Sequence, residues 1–333
     1  MSQPTLLRVW LLRLSGAQAK QKLLAFASLI ALMGVFTALK ADAFMTADNI
    51  IGILQSTTVI GVLAIASTFI IITSGIDLSV GVLMTFCAVM AGMFMVNLGL
   101  PLPLGVLGAI AVGGLSGCIS GLAITKLTVP PFIATLGMMM LLKGLSLIIT
   151  GARPIYFNEV EGFDQIALGS WIGDVFPPLP IPNGVLIMFL VGIVCAVVLN
   201  KTALGRYTFA LGSNEEAVRL SGVNVDRWKI IIYTFSGGIC GIAGLLIASR
   251  LNSAQPALGQ GYELDAIAAV VIGGTSLSGG VGTILGTIIG AFIMSVLING
   301  LRIMSVAQEW QMVLTGVIII LAVYTDNLRR NKK

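Results

Sequence analysis

The chain has 333 residues, of which 57% are hydrophobic and only 10% are charged. A soluble domain carries about 25% charged residues because its surface faces water, so this composition excludes a soluble enzyme. The formal net charge of +5 does not indicate nucleic-acid binding, because the basic residues are not gathered into one patch with interleaved aromatic side chains. The 40 glycines and the long apolar runs instead predict an all-α, polytopic protein embedded in a lipid bilayer.

Ten apolar runs mark candidate membrane-spanning helices, each of which needs about 20 residues to cross the hydrocarbon core. The runs cover residues 23–39, 51–73, 79–97, 104–125, 131–150, 184–200, 230–249, 264–277, 282–300 and 310–325. The eighth run is too short for a full crossing, so we expect a half-helix that is buried by its neighbours. We accordingly predict a transmembrane domain at 23–326 between two tails, 1–22 and 327–333.

The lysines and arginines indicate which ends of the helices are cytoplasmic, because short cytoplasmic loops retain positive charge during insertion. Of the 19 basic residues, 14 lie in the N-terminal tail, at Lys126, in the segment 201–229 and in the C-terminal tail. The loop 151–183, in contrast, has four acidic residues and one arginine and closes with a proline-rich FPPLPIP turn. We predict that both termini are cytoplasmic and that this loop lies on the opposite face, which requires an even number of crossings.

An internal repeat is suggested by two glycine- and serine-containing segments. When residues 75–81 are laid over residues 274–280, glycine, leucine, serine and glycine coincide at a constant offset of 199. Each segment ends an apolar run that goes inward and begins one that goes outward. We therefore predict two parallel repeats with short broken helices, an arrangement in which a transport pathway lies between the halves.

Asp77 interrupts an apolar stretch, where a charged side chain costs at least about 2.5 kcal/mol at the bilayer centre. Two interpretations are open. The serines and glycines beside it favour a broken helix whose freed backbone groups and carboxylate face a cavity and contact a hydroxylated solute. Alternatively, Asp77 caps the N-terminus of the third span, because it falls at a predicted helix start.

Two further acids, Glu263 and Asp265, begin the short eighth run. One interpretation is that they hold a gate on the outer face through Arg250. The other is helix capping together with a solvated ion pair. Lys143 in the fifth span and Arg302 after the ninth are isolated charges, and we expect both to snorkel to an interface. Glycines at four-residue spacing predict two close-packed helix faces, Gly113/Gly117/Gly121 and Gly282/Gly286/Gly290.

The segment 201–229 contains the only long polar insert on the predicted cytoplasmic side. It has the signals of a short helix: Ser213 or Asn214 as a cap, Glu215 and Glu216 in the first turn, and Arg219 four residues after Glu215. Gly222 ends the helix. Such an amphipathic helix on the inner face suits the docking of a soluble partner, although a solvated connector has the same pattern.

Catalytic and metal-binding motifs are absent from the sequence. The chain has no histidine, no GxSxG motif and no GxxxxGK[ST] phosphate loop, and its four cysteines lie singly inside apolar stretches. We predict that the chain is not an enzyme, has no catalytic residue or metal site, and binds no cofactor of its own.

Four motifs, in this order and spacing, resemble the ribose-type monosaccharide permeases of bacterial ATP-binding-cassette importers. They are ITSGIDLSVG, PPFIATLGMMMLLKG, KTALGRYTFALGSNEEAVRLSGVNV and SAQPALGQGYELDAIAAVVIGGTSLSGGVGTILG. The similarity runs from about residue 45 to 326, and the first 25 residues match no family motif. Such permeases often have Gly-Gly-Asn-Glu where this chain has Gly-Ser-Asn-Glu at 212–215, a small exchange that leaves the docking role intact.

The resemblance implies a homodimeric inner-membrane subunit that receives a monosaccharide, ribose or a related pentose or hexose, from a periplasmic binding protein. A separate tandem ATPase, which carries the ATP and Mg²⁺, drives it. The loop 151–183 is then periplasmic. The resemblance also identifies residues 212–222 as the coupling helix in the ATPase groove, with candidate coupling residues Ser213, Asn214, Glu215, Glu216, Arg219, Leu220 and Gly222.

The sugar path of such a permease runs along the dimer axis. Because hydroxyl and amide side chains suit an uncharged polyol, we expect Ser74, Thr275, Ser276 and Asn299 to line it, with Asp77, Glu263 and Asp265 as further pathway or gate residues. The rival function is an ion-coupled secondary transporter that uses Asp77, Glu263 or Asp265 as a proton or cation relay. A second rival is a purely structural membrane subunit.

Overall fold

The computed structural model describes residues 6–176 and 180–330; of residues 6–22, 322 and 325–330 only the backbone is described. Thirteen α-helices occupy most of this part of the chain. They are α1 (Leu6–Phe44), α2 (Ala47–Ile72), α3 (Val80–Gly92), α4 (Leu102–Lys126), α5 (Pro131–Thr150), α6 (Trp171–Val175), α7 (Asn183–Lys201), α8 (Ala203–Ser213), α9 (Glu215–Leu220), α10 (Val225–Leu251), α11 (Tyr262–Ile272), α12 (Ile284–Ile303) and α13 (Gln308–Arg330). The all-α, polytopic prediction is confirmed.

Eight of these helices are long and apolar enough to cross a membrane within the described residues: 23–44 of α1, α2, α3 with its π-helical extension to Asn97, α4, α5, α7, α10 and α12. The predicted eighth span corresponds to α11, which has only 11 residues and is about 16 Å long. The predicted tenth span corresponds to α13, whose apolar part is the shorter segment Gln308–Leu321. The predicted ten runs are therefore eight full-length helices and two shorter ones.

The tails differ in part from the prediction. Helix α1 begins at Leu6, inside the segment 1–22 that was predicted as a tail, and α13 continues to Arg330. Residues 331–333 of the predicted C-terminal tail and residues 177–179 of the proline-rich turn lie outside the described residues.

Helix α2 forms the centre of the molecule. Every residue from Thr57 to Ile72 is buried, because α10, α11, α12 and α7 surround it. A helix that is apolar on all sides has no preferred solvent face, so its burial on every side follows from its composition. The threonine hydroxyls of α2 are satisfied: Thr57 and Thr58 donate to carbonyl groups one turn earlier, and Thr68 donates to the carbonyl of Ala64 and lies 2.7 Å from the hydroxyl of Thr287 on α12.

The predicted glycine face of α4 is confirmed as a close helix contact, and that of α12 is confirmed for Gly286 and Gly290, whereas Gly282 precedes the helix and lies against Ile72. A Cβ atom at Gly113 or Gly117 would overlap the backbone of α10 at Gly237 or Tyr233, so α4 and α10 run antiparallel with their main chains in contact. On α12, Gly286 and Gly290 lie against carbonyl groups of α11 in the same way. Small residues permit this approach, which strengthens dispersion contacts between helices in lipid.

The loop 151–183 folds over the ends of the helices. Its strand Ile155–Tyr156 pairs antiparallel with Ser253–Ala254, which follows α10. The rings of Phe157 and Phe163 are stacked with their centroids 4.0 Å apart, and both side chains are buried. The Ser249 hydroxyl donates to the carbonyl of Phe163 and accepts from the N–H of Ala167. These contacts fix the loop against the end of α10.

The two predicted repeat segments adopt the same backbone turn, at an offset of 200 and not 199. At the end of α2, Gly75 N–H donates to the carbonyl of Ile70, and at the end of α11, Thr275 N–H donates to that of Val270. Ser74 and Gly274 both have positive φ, as the residue after such a helix end requires. The offset rises to 204 at the following helices, which start at Val80 and Ile284. Glycines paired by the sequence offset of 199 therefore do not occupy equivalent positions in the two segments.

Candidate functional site

The predicted docking helix is α9, and its capping signals are confirmed. The Asn214 side chain, and not that of Ser213, accepts a hydrogen bond from the N–H of Ala217 at 2.9 Å. The Ser213 hydroxyl instead donates to the carbonyl of Phe209. The helix ends at Leu220, and Gly222 has the positive φ of 84° that turns the chain towards α10.

Charged contacts hold α9 to its neighbour. Glu215 lies 3.2 Å from Arg219, the predicted pair one turn along the helix, and 2.7 Å from the ammonium group of Lys229 on α10. Glu216 is exposed and has no ion pair within the described part of the chain. Leu220 is 83% exposed, so an apolar side chain at the tip of α9 is left open to a partner.

A separate polar cavity of about 660 Å³ lies at the other end of the helices, between α2, α11, α12 and α13. Its position follows from the chain direction: Arg250 and Arg302 stand at the last turns of α10 and α12, whereas Lys126 and Asp226 pair at the opposite end of the α4–α10 pair. One face of α13 contributes residues at helical spacing, namely Gln308, Gln311, Met312, Thr315, Gly316 and Ile319.

The polar lining of the cavity includes hydroxyl, amide and charged groups, namely Ser56, Arg250, Gln260, Tyr262, Asp265, Ser295, Asn299, Arg302, Gln308, Gln311 and Thr315. Within the described part of the chain, the hydroxyl of Ser295 and the amide oxygen of Asn299 are buried without a hydrogen-bond partner. The amide nitrogen of Asn299 donates to the side chain of Asn49 at 2.8 Å. A buried polar atom without a partner costs free energy, so these two atoms favour a hydrogen-bonding ligand in the cavity.

The predicted pathway residues fall into two places. Asp265 and Asn299 both line the cavity. Ser74 and Ser276 lie near the other end, where α2 and α11 stop, and neither borders the cavity. Thr275 is 1% exposed there, and its hydroxyl has no hydrogen-bond partner. The sequence therefore named members of two separate regions as one pathway.

Glu263 does not enter the cavity, although it is two residues from Asp265. Both of its carboxylate oxygens accept from the N–H of Gly261 at 3.0 Å, so the side chain caps the start of α11. The described residues contain no ion pair between Arg250 and either acid. The Arg250 guanidinium donates instead to the carbonyl of Gln55, so the ion pair is not formed here, and the gate stays a prediction.

Asp77 holds the turn that precedes α3. Its carboxylate accepts from both the N–H and the hydroxyl of Ser79, at 2.7 and 2.6 Å, and Ser79 itself is the residue before the helix. Burial raises the pKa of the Asp77 carboxyl, whereas the two hydrogen bonds from Ser79 lower it. The chain is broken between α2 and α3 as predicted, but Asp77 does not border the cavity.

Sequence reasoning missed several cationic and amide groups of this region, among them Arg302, Lys143 and Gln260. Arg302, expected to snorkel, lines the cavity. Lys143 donates to the side chain of Gln260 at 2.6 Å, and Gln260 lines the cavity in turn. Lys143 and Arg302 are isolated charges within or just after an apolar run, a pattern that snorkelling also produces.

Comparison with known proteins places the chain in a family. Residues 49–323 match the model of the family described as "Branched-chain amino acid transport system / permease component". The chain belongs to this permease family. No solved structure matches the chain.

Curated relatives extend over nearly the whole chain. The ribose import permease protein RbsC of Escherichia coli strain K12 is 43% identical over 91% of this chain and 92% of its own length. RbsC of Bacillus subtilis is 42% identical over 92% of each chain. The xylose transport system permease protein XylH of Escherichia coli strain K12 is 34% identical over 94% of this chain and 93% of its own. The ribose-type resemblance is thereby confirmed.

Proposed function

We propose that this chain is the transmembrane permease subunit of an ATP-binding-cassette importer, and that it carries a monosaccharide, ribose or a related pentose or hexose, across the inner membrane. The observation that carries the proposal is the cavity between α2, α11, α12 and α13. Its guanidinium, carboxylate, amide and hydroxyl groups match the dense donors and acceptors of a sugar. The relatives named for ribose and xylose support the same class of substrate.

Energy for transport comes from a separate tandem ATPase, which holds ATP and Mg²⁺ and docks on residues 213–222. The exposed Leu220 and Glu216 support this role, because one apolar and one charged side chain of α9 are left free by the described residues to contact a partner. A periplasmic sugar-binding protein delivers the substrate at the cavity end. A second copy of the chain completes a homodimer.

The orientation follows from the basic side of the molecule. Lys126, Arg219 and Lys229 lie together at one end of the helix bundle, where they pair with Asp226 and Glu215. Cytoplasmic loops retain positive charge, so this end and both termini face the cytoplasm, and the loop 151–183 faces the periplasm.

Transport then requires that nucleotide bind one conformation of the assembly more tightly than the other. Closure of the ATPase subunits moves α9, and the helix bundle changes between inward and outward access.

The rival ion-coupled mechanism has no support from the relatives. Its three proposed relay acids also have different roles: Asp77 accepts hydrogen bonds from Ser79, Glu263 caps α11, and of the three only Asp265 lines the cavity. A relay needs neighbouring groups that exchange protons through direct or water-mediated hydrogen bonds.

The test is reconstitution in vesicles. The chain is purified with its ATPase and reconstituted. Uptake of radioactive ribose is then measured with the binding protein on one side of the membrane and ATP on the side that carries the ATPase. We expect uptake that requires both partners and ATP. Uptake by the chain alone under a proton or sodium gradient would instead establish the secondary transporter.

A further inference from the structure

Three segments meet at the cytoplasmic end of the bundle, and we refer to their meeting point as the three-way junction. It consists of the end of α2 (72–74), Gly212 near the end of α8, and residues 278–280 between α11 and α12. The N–H of Gly280 donates to the carbonyl of Ile72 at 2.9 Å. The hydroxyl of Ser74 donates to the carbonyl of Ser278 at 2.9 Å and lies 3.4 Å from that of Gly212.

Main-chain atoms form most of the junction. A Cβ atom at Gly212 would overlap the carbonyl of Ile72 and the amide nitrogen of Gly280, and one at Gly279 would overlap the Ser74 hydroxyl. Contacts between main chains leave no side-chain rotamer to absorb a shift. A displacement of α8 is therefore passed on to α2 and to the 278–280 segment.

The junction stands between the docking helix and the cavity. Only Asn214 separates α8 from α9, so the two helices move as one unit. On the other side, α11 is a single short helix of 11 residues that begins at the cavity with Tyr262 and Asp265 and ends next to the junction. A helix this short transmits a displacement along its axis without bending.

The Ser74 side chain joins all three segments by its hydrogen bonds to the carbonyls of Ser278 and Gly212. It adopts a φ of 63°, a conformation that is unfavourable for a residue with a Cβ atom. Glycine fits this position at lower cost, as Gly274 does at the equivalent end of α11. The hydroxyl thus supplies an interaction that glycine lacks.

We propose that Ser74 is a positioning residue that couples the docking helix α9 to α11, so that movement of α9 shifts the cavity wall at Tyr262 and Asp265. This inference rests on the proposed function, because the displacement of α9 comes from the ATPase. It assigns Ser74 to mechanical coupling, whereas the sequence predicted a place for it along the sugar path.

The test compares Ser74→Ala and Ser74→Gly in the purified permease–ATPase complex with its binding protein in vesicles. The measured quantity is ribose uptake per ATP hydrolysed. Both variants lose the hydroxyl, and Ser74→Gly also removes the backbone strain, so it folds even where Ser74→Ala does not. We expect uptake per ATP to fall about fivefold in both, the change that one lost hydrogen bond produces in a conformational equilibrium.

Ser116→Ala is the matched control, since Ser116 donates to the carbonyl of Val112 within α4 and touches neither junction nor cavity. Its uptake per ATP should equal that of the wild type. If uptake per ATP is unchanged in both Ser74 variants, the inference is overturned. This includes the case in which uptake and ATP hydrolysis fall in the same proportion. If the wild-type complex itself shows no ATP-driven uptake, the proposed function fails and not the coupling alone.

A second measurement follows the cavity wall directly. Leu264, which lines the cavity, is replaced by cysteine, and its labelling by a maleimide is timed with and without ATP and vanadate. We expect nucleotide to change the labelling rate in the otherwise wild-type complex and to leave it unchanged when Ser74→Gly is added. An equal response to nucleotide in the two backgrounds contradicts the proposal.

Discussion

The ammonium group of Lys229 lies 2.7 Å from the carboxylate of Glu215 and thereby ties the docking helix α9 to the first turns of α10. Lys229 is 19% exposed and Glu215 39% exposed, so water screens the pair only in part. Glu215 also pairs with Arg219. One acid thus holds two cations and fixes the direction of α9.

Charge reversal at this pair tests the anchor. We expect Glu215→Lys and Lys229→Glu each to reduce the amount of ATPase that copurifies with the permease, because each places like charges together. The double reversal should recover part of the loss, with a coupling energy of about 0.2–1 kcal/mol. A double variant no better than either single variant would show that α9 is held by other contacts.

Glu216→Lys tests direct contact with the ATPase, because Glu216 has no ion pair in the described residues. We expect it to abolish sugar uptake while the permease still inserts into the membrane and keeps its thermal stability. Normal uptake in this variant would remove Glu216 from the docking surface. Together with the Glu215 cycle, the experiment separates docking contacts from the anchoring of α9.

Gly117 tests the close contact of α4 and α10. An alanine Cβ would overlap the carbonyl of Tyr233, so Gly117→Ala should destabilise the protein by about 1–3 kcal/mol, measured as thermal unfolding in detergent. Gly114→Ala is the matched control, because the nearest atom would lie at 3.6 Å, an ordinary contact. Equal unfolding temperatures for the two variants would contradict the packing.

Ser295 tests the cavity as a sugar site. Its hydroxyl has no partner among the described residues, so Ser295→Ala should leave folding stability unchanged or slightly higher. The KM for ribose uptake should rise about two- to tenfold, as expected for one lost hydrogen bond. Ser67→Ala is the control, because Ser67 is equally buried and unpartnered but lies outside the cavity lining. A matching change in KM for both variants would refute a specific role of Ser295.

Membrane orientation is tested with single cysteines at Glu216 and Glu161 in a variant that lacks the four native cysteines. In intact spheroplasts, a membrane-impermeant maleimide should label the cysteine at position 161 and reach the one at 216 only after lysis. The reverse pattern would invert the proposed topology. Both side chains are exposed, so accessibility is not limited by burial.

Local patterns in the sequence were sufficient for the elements. Runs of about 20 apolar residues located the eight long helices, since a helix satisfies all of its backbone hydrogen bonds within one segment in lipid. The capping pattern from Asn214 to Gly222 gave α9 to within a residue. The glycine spacing identified two packing faces, because four-residue spacing places glycines on one side of a helix.

The candidate site was predicted only in part, because its members come from five separate helices. Asp265 and Asn299 were named and do line the cavity, but Arg302 was expected at an interface. Glu263 and Asp265 have the same chemistry two residues apart, and nothing in their spacing tells which one caps α11.

By itself the sequence determined that the chain spans a membrane, which segments form its helices, and which permease family it resembles, because hydropathy, capping and motif order are local properties. Only the tertiary structure decided that Asp265 and Asn299 share a cavity while Ser74 lies at a junction with Gly212 and Gly280. The physical reason is that side-chain position across helices depends on how close the backbones approach, and that distance arises from packing between segments far apart in the chain.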